Sequence, residues 1–418
     1  MYDAAVIGAG AAGLMAAGYM AQSGLRVCLI EKNSRPGRKL MITGKGRCNL
    51  TNDCDLQAFI ASVPTNGRFL YSALTAFPPQ ELMAFFERLG VPLKVERGRR
   101  VFPVSDKAVD IVDALSAYIR RFSCTQVEGE AVSLILEEGG ISGVKLEDGR
   151  LIRAERVVMA CGGASYPATG SDGSGYRMAE AVGHQIVPLK PSLVPLVVHD
   201  SGCRDMMGLS LKNVRLRVWD QKKDKLVFQE QGEMLFTHFG VSGPLILSAS
   251  SRMRQMEPRR YRLEIDMKPA LSLDQLETRL LRDFQSNSNR DFINTLSSLL
   301  PKKMIPFAVS RTDIPAHLKC NSVTREQRRA FCGFIKCIPF EVQGFRSLDE
   351  AIVTSGGVQV RQVDPKTMES KLVRGLFFAG EILDVDAYTG GYNLQIAFST
   401  GRLAAQTIAA QCRHHNLR

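Results

Sequence analysis

The 418-residue sequence predicts an α/β protein: a Rossmann-like nucleotide-binding domain with meander strands, split by an inserted β-rich domain that carries a helical subdomain. Three observations point there. The chain opens on a strand, a glycine turn, a helix and a second strand; its middle third gives strand-like pieces and then a polar helical stretch; its end returns to a buried strand and one long helix. The pattern places the two parts of the nucleotide-binding domain at 1–187 and 345–418 and the inserted domain at 188–344, its helical subdomain at about 272–335.

The opening unit is the most specific. Tyr2 to Ile7 is an apolar strand, Gly8-Ala9-Gly10-Ala11-Ala12-Gly13 a tight turn, and Leu14 to Ser23 an alanine-rich helix that Gly24 stops. A second strand, Arg26 to Ile30, ends in Glu31. In such a GxGxxG unit Gly8 permits the turn, Gly10 lets a pyrophosphate approach the backbone, and Gly13 lets helix and strand pack closely. The N–H groups around Ala11 and Ala12, at the helix start, are free to hold a diphosphate. Glu31 lies 18 residues beyond Gly13, where an acid accepts hydrogen bonds from ribose hydroxyls.

The segment from Lys32 to Asn49 separates FAD from NAD. It is rich in glycine and basic residues, and suits an extended loop that wraps a longer ligand through backbone amides and cations. Lys32, Arg38, Lys39, Gly44, Gly46, Arg47, Cys48 and Asn49 are its candidate FAD contacts.

Farther on, Val127 to Ala160 reads as a meander broken at Gly139-Gly140 and Asp148-Gly149, and its last strand runs into Gly162. The insertion shows strands at Asn213 to Asp220, Lys225 to Gln229 and Tyr261 to Met267, then helices from Leu273 to about Phe334 with a polar loop at 283–291. On the return, Ala351 to Val360 contains a turn at Ser355-Gly356-Gly357, Leu376 to Ala379 forms a buried strand, and the long helix starts near Asn393. By resemblance to flavoproteins of this architecture, Gly380 and Glu381 place an acidic residue against the ribityl chain or diphosphate, and Gly391, Asn393 and Leu394 then bring backbone close to the isoalloxazine ring. The positive end of that helix suits the N1 and C2 carbonyl edge of reduced flavin.

Four separated blocks, GRKLMITGKGRCNLTN at 37–52, MACGGASYPATGSDGSGY at 159–176, FTHFGVSGP at 236–244 and GLFFAGEILDVDAYTGGYNLQIAFSTG at 375–401, resemble the BaiN/RdsA (YhiN-like) family of bacterial FAD-dependent flavoproteins. One position departs: many members have Gly where Ala387 stands, and a small residue still fits. The resemblance implies an FAD-binding domain split by the insertion, with Val132 as a backbone contact to the adenine. It also implies a reductase that saturates a C=C bond conjugated to a 3-ketone in a bile-acid-like steroid, an anionic small molecule. A family branch suggests an alternative, an oxidase of small amino ketones such as aminoacetone.

Flavin carries the hydride, so the protein need not supply a nucleophile. Tyr166, His238, Tyr388 and Asp386 could exchange a substrate proton, the first three being the catalytic candidates. Cys48 and Cys161 flank the expected flavin, yet neither has a second thiol nearby in sequence. No second GxGxxG with its acid occurs, since the GSDGSG run at 170–175 has the wrong spacing; NADH or NADPH is therefore expected as a transient electron donor.

Composition agrees with a folded enzyme. Apolar residues make up 45% and charged residues 23%, which excludes disordered, collagenous and coiled-coil chains. The ten cysteines include no CxxC or zinc-spaced histidines, so neither a disulfide framework nor a metal site is expected. Ala4 to Ala21 is uncharged but follows Asp3 and contains four glycines, unlike a signal or membrane segment, which predicts a cytoplasmic protein without membrane insertion. A net charge of +12 raises the possibility of an RNA-modifying flavoprotein, but the basic residues are scattered in sequence and no nucleic-acid partner is expected.

Overall fold

The structure is a computed structural model and describes residues 1–416. It divides into two compact units, Met1–Ser192 with the chain from Leu348 onward, and Leu193–Ser347.

The first unit is built on a five-stranded parallel sheet. Its central strand β1 (Ala4–Ile7) pairs with β2 (Val27–Glu31) on one side and with Val157–Met159 on the other. Thr125–Glu128 and Leu376–Phe378 complete the edges, giving the sheet of a doubly wound fold. Strands covered on both faces need continuous apolar runs, and every residue of β1 is buried. Between β1 and β2 lies helix α1 (Ala11–Gln22), of which ten residues are buried. Its small side chains allow that: a Cβ on Gly401 of the C-terminal helix Tyr392–Asn416 would stand 2.4 Å from Ala12 O, and one on Gly18 would stand 2.3 Å from the Tyr118 ring.

A three-stranded meander, Ala131–Glu137, Gly140–Leu146 and Leu151–Arg153, forms a separate antiparallel sheet in this unit. Ile186–Ser192 and Val353–Val358 pair antiparallel where the chain leaves and re-enters the unit.

Three local expectations are corrected. The segment after Glu31 is not wholly extended: it holds helix α2 (Arg38–Ile42), started by left-handed Gly37 and anchored by buried Leu40, and a 3-10 turn at Thr43–Gly46. Ser355-Gly356-Gly357 is not a turn but part of a strand, at a register shift opposite Val187 and Lys190. A Cβ on Gly356 would lie 2.5 Å from Pro188 O, so glycine there answers a close backbone approach. The helix Leu273–Ser286 runs past Asp283, where a loop is expected from polarity, because buried Leu276, Leu280 and Phe284 hold its inner face.

The second unit is a closed six-stranded antiparallel barrel. Around it run Leu196–Val198, Gly240–Ser242, Lys225–Thr237, Ser210–Asp220, Tyr261–Asp266 and Ile338–Phe345, which pairs back to the first. Helices Leu273–Ser286 and Arg325–Lys336 both start with capping boxes, Ser272 with Gln275 and Thr324 with Gln327. Phe307 stacks on Phe340 at 5.7 Å inside this unit, and Phe292 meets Phe331 edge-on. Among the described residues no helix is long and apolar enough to cross a membrane.

Candidate functional site

The GxGxxG turn shows why each glycine stands where it does. A Cβ on Gly13 would be 1.8 Å from Gly8 O, so only glycine lets α1 sit so close to the turn. Gly8 has φ +99°, and its Cβ would meet Ala160 O at 2.6 Å. Gly10 differs: a Cβ there meets nothing within 4 Å. Two glycines of the motif answer packing, and the third faces open space beside the first turn of α1, where Ala11 and Ala12 lie. That is the cradle a diphosphate would fill.

Glu31 ends β2 beside this turn, with its carboxylate already fixed. Oε2 accepts from Ala9 N–H at 2.7 Å, and Oε1 accepts from Asn33 N–H at 2.9 Å and Asn33 Nδ2 at 2.6 Å. Arg38 donates to Asn33 Oδ1 at 2.8 Å, so the asparagine links the acid to α2. Lys32 pairs with Asp172 at 2.7 Å. Burial opposes ionisation of Asp172, but the Lys32 and Ser174 donors outweigh it and bring the carboxyl down to about 2.

Lys39 reaches away from Arg38. Its ammonium lies 2.8 Å from Ser165 Oγ and 2.8 Å from Glu381 Oε2. Gly380, which precedes that acid, donates its N–H to Thr400 Oγ1 at 2.9 Å, and Gly162 opens the loop that leads to Ser165.

The loop at 44–49 enters the left-handed region at Gly44, Lys45, Gly46 and Cys48, and is closed by Arg47 N–H on Gly44 O at 3.3 Å and Cys48 N–H on Thr43 O at 3.0 Å. The Arg47 side chain is committed elsewhere: it bonds Glu96 and Asp106 and lies 4.1 Å over the Phe102 ring. Asn49, its amide oriented to satisfy both ends, accepts from Gly391 N–H at 3.1 Å. A Cβ on Gly391 would be 2.3 Å from Thr51 O, so this glycine permits the C-terminal segment to close on the strand Thr51–Asn52. Asn393 Oδ1 accepts from Ala387 N–H and its Nδ2 donates to Ala387 O, both at 2.9 Å, clasping the loop that carries Tyr388. Leu394, half-buried, follows in the same helix.

Val132 sits at a register shift between Ala131 and Ser133, where one residue stands outside the ladder, and its side chain is exposed. Tyr166 adopts φ +54° just after the Gly162 loop, and burial, with Glu350 nearby, raises its phenol above the ordinary value. Tyr388 donates its N–H to Ser62 O. Asp386 does not serve as a free proton carrier: it is buried and accepts from Ser192 Oγ at 2.7 Å and Ser355 Oγ at 2.9 Å. His238 belongs to the barrel unit, exposed, with its ring edge-on to Phe239 at 5.0 Å. Burial pushes the Cys48 and Cys161 thiols up to about 12, which removes the thiolate that redox exchange needs. Sequence reading did not single out Asn33, Ser165, Thr354 or Asp172, because common polar residues carry no motif; only the position of Asn33, two beyond Glu31, offers a signal.

A doubly wound parallel sheet whose glycine turn, terminal acid and C-terminal helix meet around one nucleotide cradle defines a Rossmann-type flavoprotein. The family described as HI0933-like protein Rossmann domain matches residues 2–407, and the chain belongs to it. It is 31% identical over 410 residues to a 3-dehydro-bile acid delta(4,6)-reductase of Clostridium scindens, covering 97% of this chain and 98% of that protein. It is 32% identical over 414 residues to a ribosomal RNA dihydrouridine synthase of Escherichia coli, covering 98% of each. The fold is shared with a 3-ketosteroid-delta4-(5alpha)-dehydrogenase of Rhodococcus jostii, with a TM-score of 0.53 at 16% identity over 98% of this chain and 96% of that one. The FrdA chain of Escherichia coli quinol fumarate reductase gives a TM-score of 0.53 at 18% identity over 99% of this chain and 71% of that one. The protein is an FAD-dependent oxidoreductase.

Proposed function

We propose that the enzyme reduces a ring C=C bond conjugated to a carbonyl, with a 3-keto bile-acid-like steroid as substrate and NADH or NADPH as the source of electrons. The observation that carries this reading is the full-length similarity to a bile-acid reductase. FAD, when bound, supplies the hydride that reaches the β carbon.

The chain's own residues hold and orient. Gly10 and the first turn of α1 receive the diphosphate, Glu31 the ribose hydroxyls, and the bulge at Val132 the adenine edge. The main chain of 44–49 and of 391–394 lines the ring, and the positive end of the Tyr392–Asn416 helix stabilises negative charge there. Burial raises the Tyr166 phenol above its ordinary value, so it keeps its proton at neutral pH and gives it to the α carbon, while Tyr388 orients the carbonyl.

One observation favours a second reading, a uracil ring in ribosomal RNA. Its C5=C6 bond is likewise conjugated to a carbonyl, so the same hydride and proton additions apply. The barrel unit carries 25 basic against 16 acidic residues, a net +9 of the chain's +12, and two relatives are named ribosomal RNA dihydrouridine synthases.

The test is anaerobic reduction of the yellow protein with NADH or NADPH, followed by mixing with a 3-keto-enone bile acid, with a ribosomal RNA fragment, or with air and aminoacetone. Reoxidation by the steroid alone supports the first reading, and by the RNA alone the second. Rapid reoxidation in air with consumption of aminoacetone, and by neither other partner, replaces both with the amino-ketone oxidase.

A further inference from the structure

Four segments far apart in sequence meet on one ion pair. Lys39 in α2 bonds Glu381 Oε2 and Ser165 Oγ, each at 2.8 Å. The other carboxylate oxygen, Glu381 Oε1, accepts from Thr354 N–H at 2.8 Å and from Ser165 Oγ at 3.2 Å. The two side chains are 22% and 19% exposed. Just before Lys39, Gly37 donates its N–H to Ala9 O at 2.9 Å, which ties α2 to the diphosphate turn.

The donor and acceptor inventory is unequal. Three donors already engage the Glu381 carboxylate, one on Oε2 and two on Oε1. An ammonium has three N–H bonds, and these contacts use two of them. Electrostatics agree with the inventory. A carboxylate held bare beside the diphosphate of FAD would repel it, and a mostly buried carboxylate needs a partner charge. A lysine fixed between the acid and the cofactor removes both costs.

We infer that Glu381 is a positioning residue for Lys39, and that Lys39 gives its third N–H to an anionic oxygen of FAD. The acid acts on the cofactor through the lysine. Ser165 and Thr354 hold the acid in turn, so the first crossover, the loop after the fourth strand of the sheet and the C-terminal segment must all be in place before the cation is presented. The inference rests on the flavin assignment and is independent of which substrate is reduced.

The experiment uses full-length apoprotein titrated with FAD, read by quenching of flavin fluorescence, with the thermal midpoint of each variant measured without FAD. Lys39→Met is expected to weaken FAD binding about tenfold or more, the scale of one charge-assisted hydrogen bond. Glu381→Gln should also weaken it, Lys39→Arg should recover most of the affinity, and the Lys39→Met/Glu381→Gln double variant should bind no worse than Lys39→Met alone. Should Lys39→Met not fold, Lys39→Gln takes its place. The inference is overturned if the two single effects multiply in the double variant, if Glu381→Gln binds FAD as tightly as the parent or tighter, or if the Lys39 variant keeps full affinity. Failure of the parent apoprotein to take up FAD would instead remove the flavin assignment itself, a separate outcome read before any variant is made.

Discussion

The unit built from 1–192 and 348–418 holds 29 of the 36 glycines, whereas the barrel unit holds seven. Charge runs the other way: the barrel's 155 residues carry net +9, and the 263 residues of the first unit carry +3. Glycine gathers where backbone must approach backbone or ligand, as at Gly8, Gly13 and Gly391. Net charge of one sign gathers where a surface meets something outside itself. Close main-chain approach thus distinguishes the first unit, and an excess of positive charge the barrel unit.

The largest effects should come from the glycines. Gly13→Val should yield no soluble folded protein, since the added Cβ meets Gly8 O at 1.8 Å, whereas Gly10→Val, with open space around its Cβ, should fold with an unchanged far-ultraviolet dichroism spectrum and be colourless. A yellow Gly10→Val protein would break the assignment of that space to the cofactor. Glu31→Ala should fold and lose FAD affinity by roughly ten- to a hundredfold, as expected for hydrogen bonds to a charged group, measured by fluorescence titration.

Charge reversal on the barrel sharpens the other side of the comparison. Lys223→Glu with Lys225→Glu, both exposed in the hairpin between Ser210–Asp220 and Lys225–Thr237, should leave FAD uptake unchanged. If the partner is RNA, the pair should weaken binding and lower its salt slope by about one per lost phosphate contact. Unchanged binding of an RNA fragment would detach the hairpin from that reading.

The smallest effect concerns His184, buried in the first unit with Nε2 2.9 Å from Ser370 Oγ and its ring edge-on to Phe378 at 4.7 Å. Burial lowers its pKa, with Gln362 opposing. The unfolded chain then binds the proton more readily, so this contribution to stability is complete above the unfolded value of about 6.5 and is lost as pH falls below it. His184→Gln should therefore flatten the fall in thermal midpoint on the acid side of 6.5; an identical slope in both proteins would refute the contribution.

Much of the first unit is legible because its signals are local. The strand, turn, helix and acid of 4–31 lie within one crossover, and their order alone implies the nucleotide cradle. Helix α2 escapes because it is one short stretch among glycines, and what makes it a helix is the burial of Leu40. The Ser355-Gly356-Gly357 run looks like a turn because glycine signals a turn and a close approach alike; only the Pro188 carbonyl opposite tells them apart. Nothing in the sequence announces Ser165 or Thr354 as partners of Glu381, since 216 and 27 residues separate them from it.

Backbone chemistry read in sequence order thus determined the parallel sheet, its GxGxxG turn, Glu31 and the flavin class. The tertiary structure alone decided that the barrel closes, pairing Leu196–Val198 with Ile338–Phe345, that the Arg47 side chain is spent on Glu96 and Asp106, and that Lys39 and Glu381 form one device. The physical reason is range. A turn or crossover is fixed by steric and hydrogen-bond rules among near neighbours, whereas an ion pair across 342 residues exists only once packing has brought its partners together.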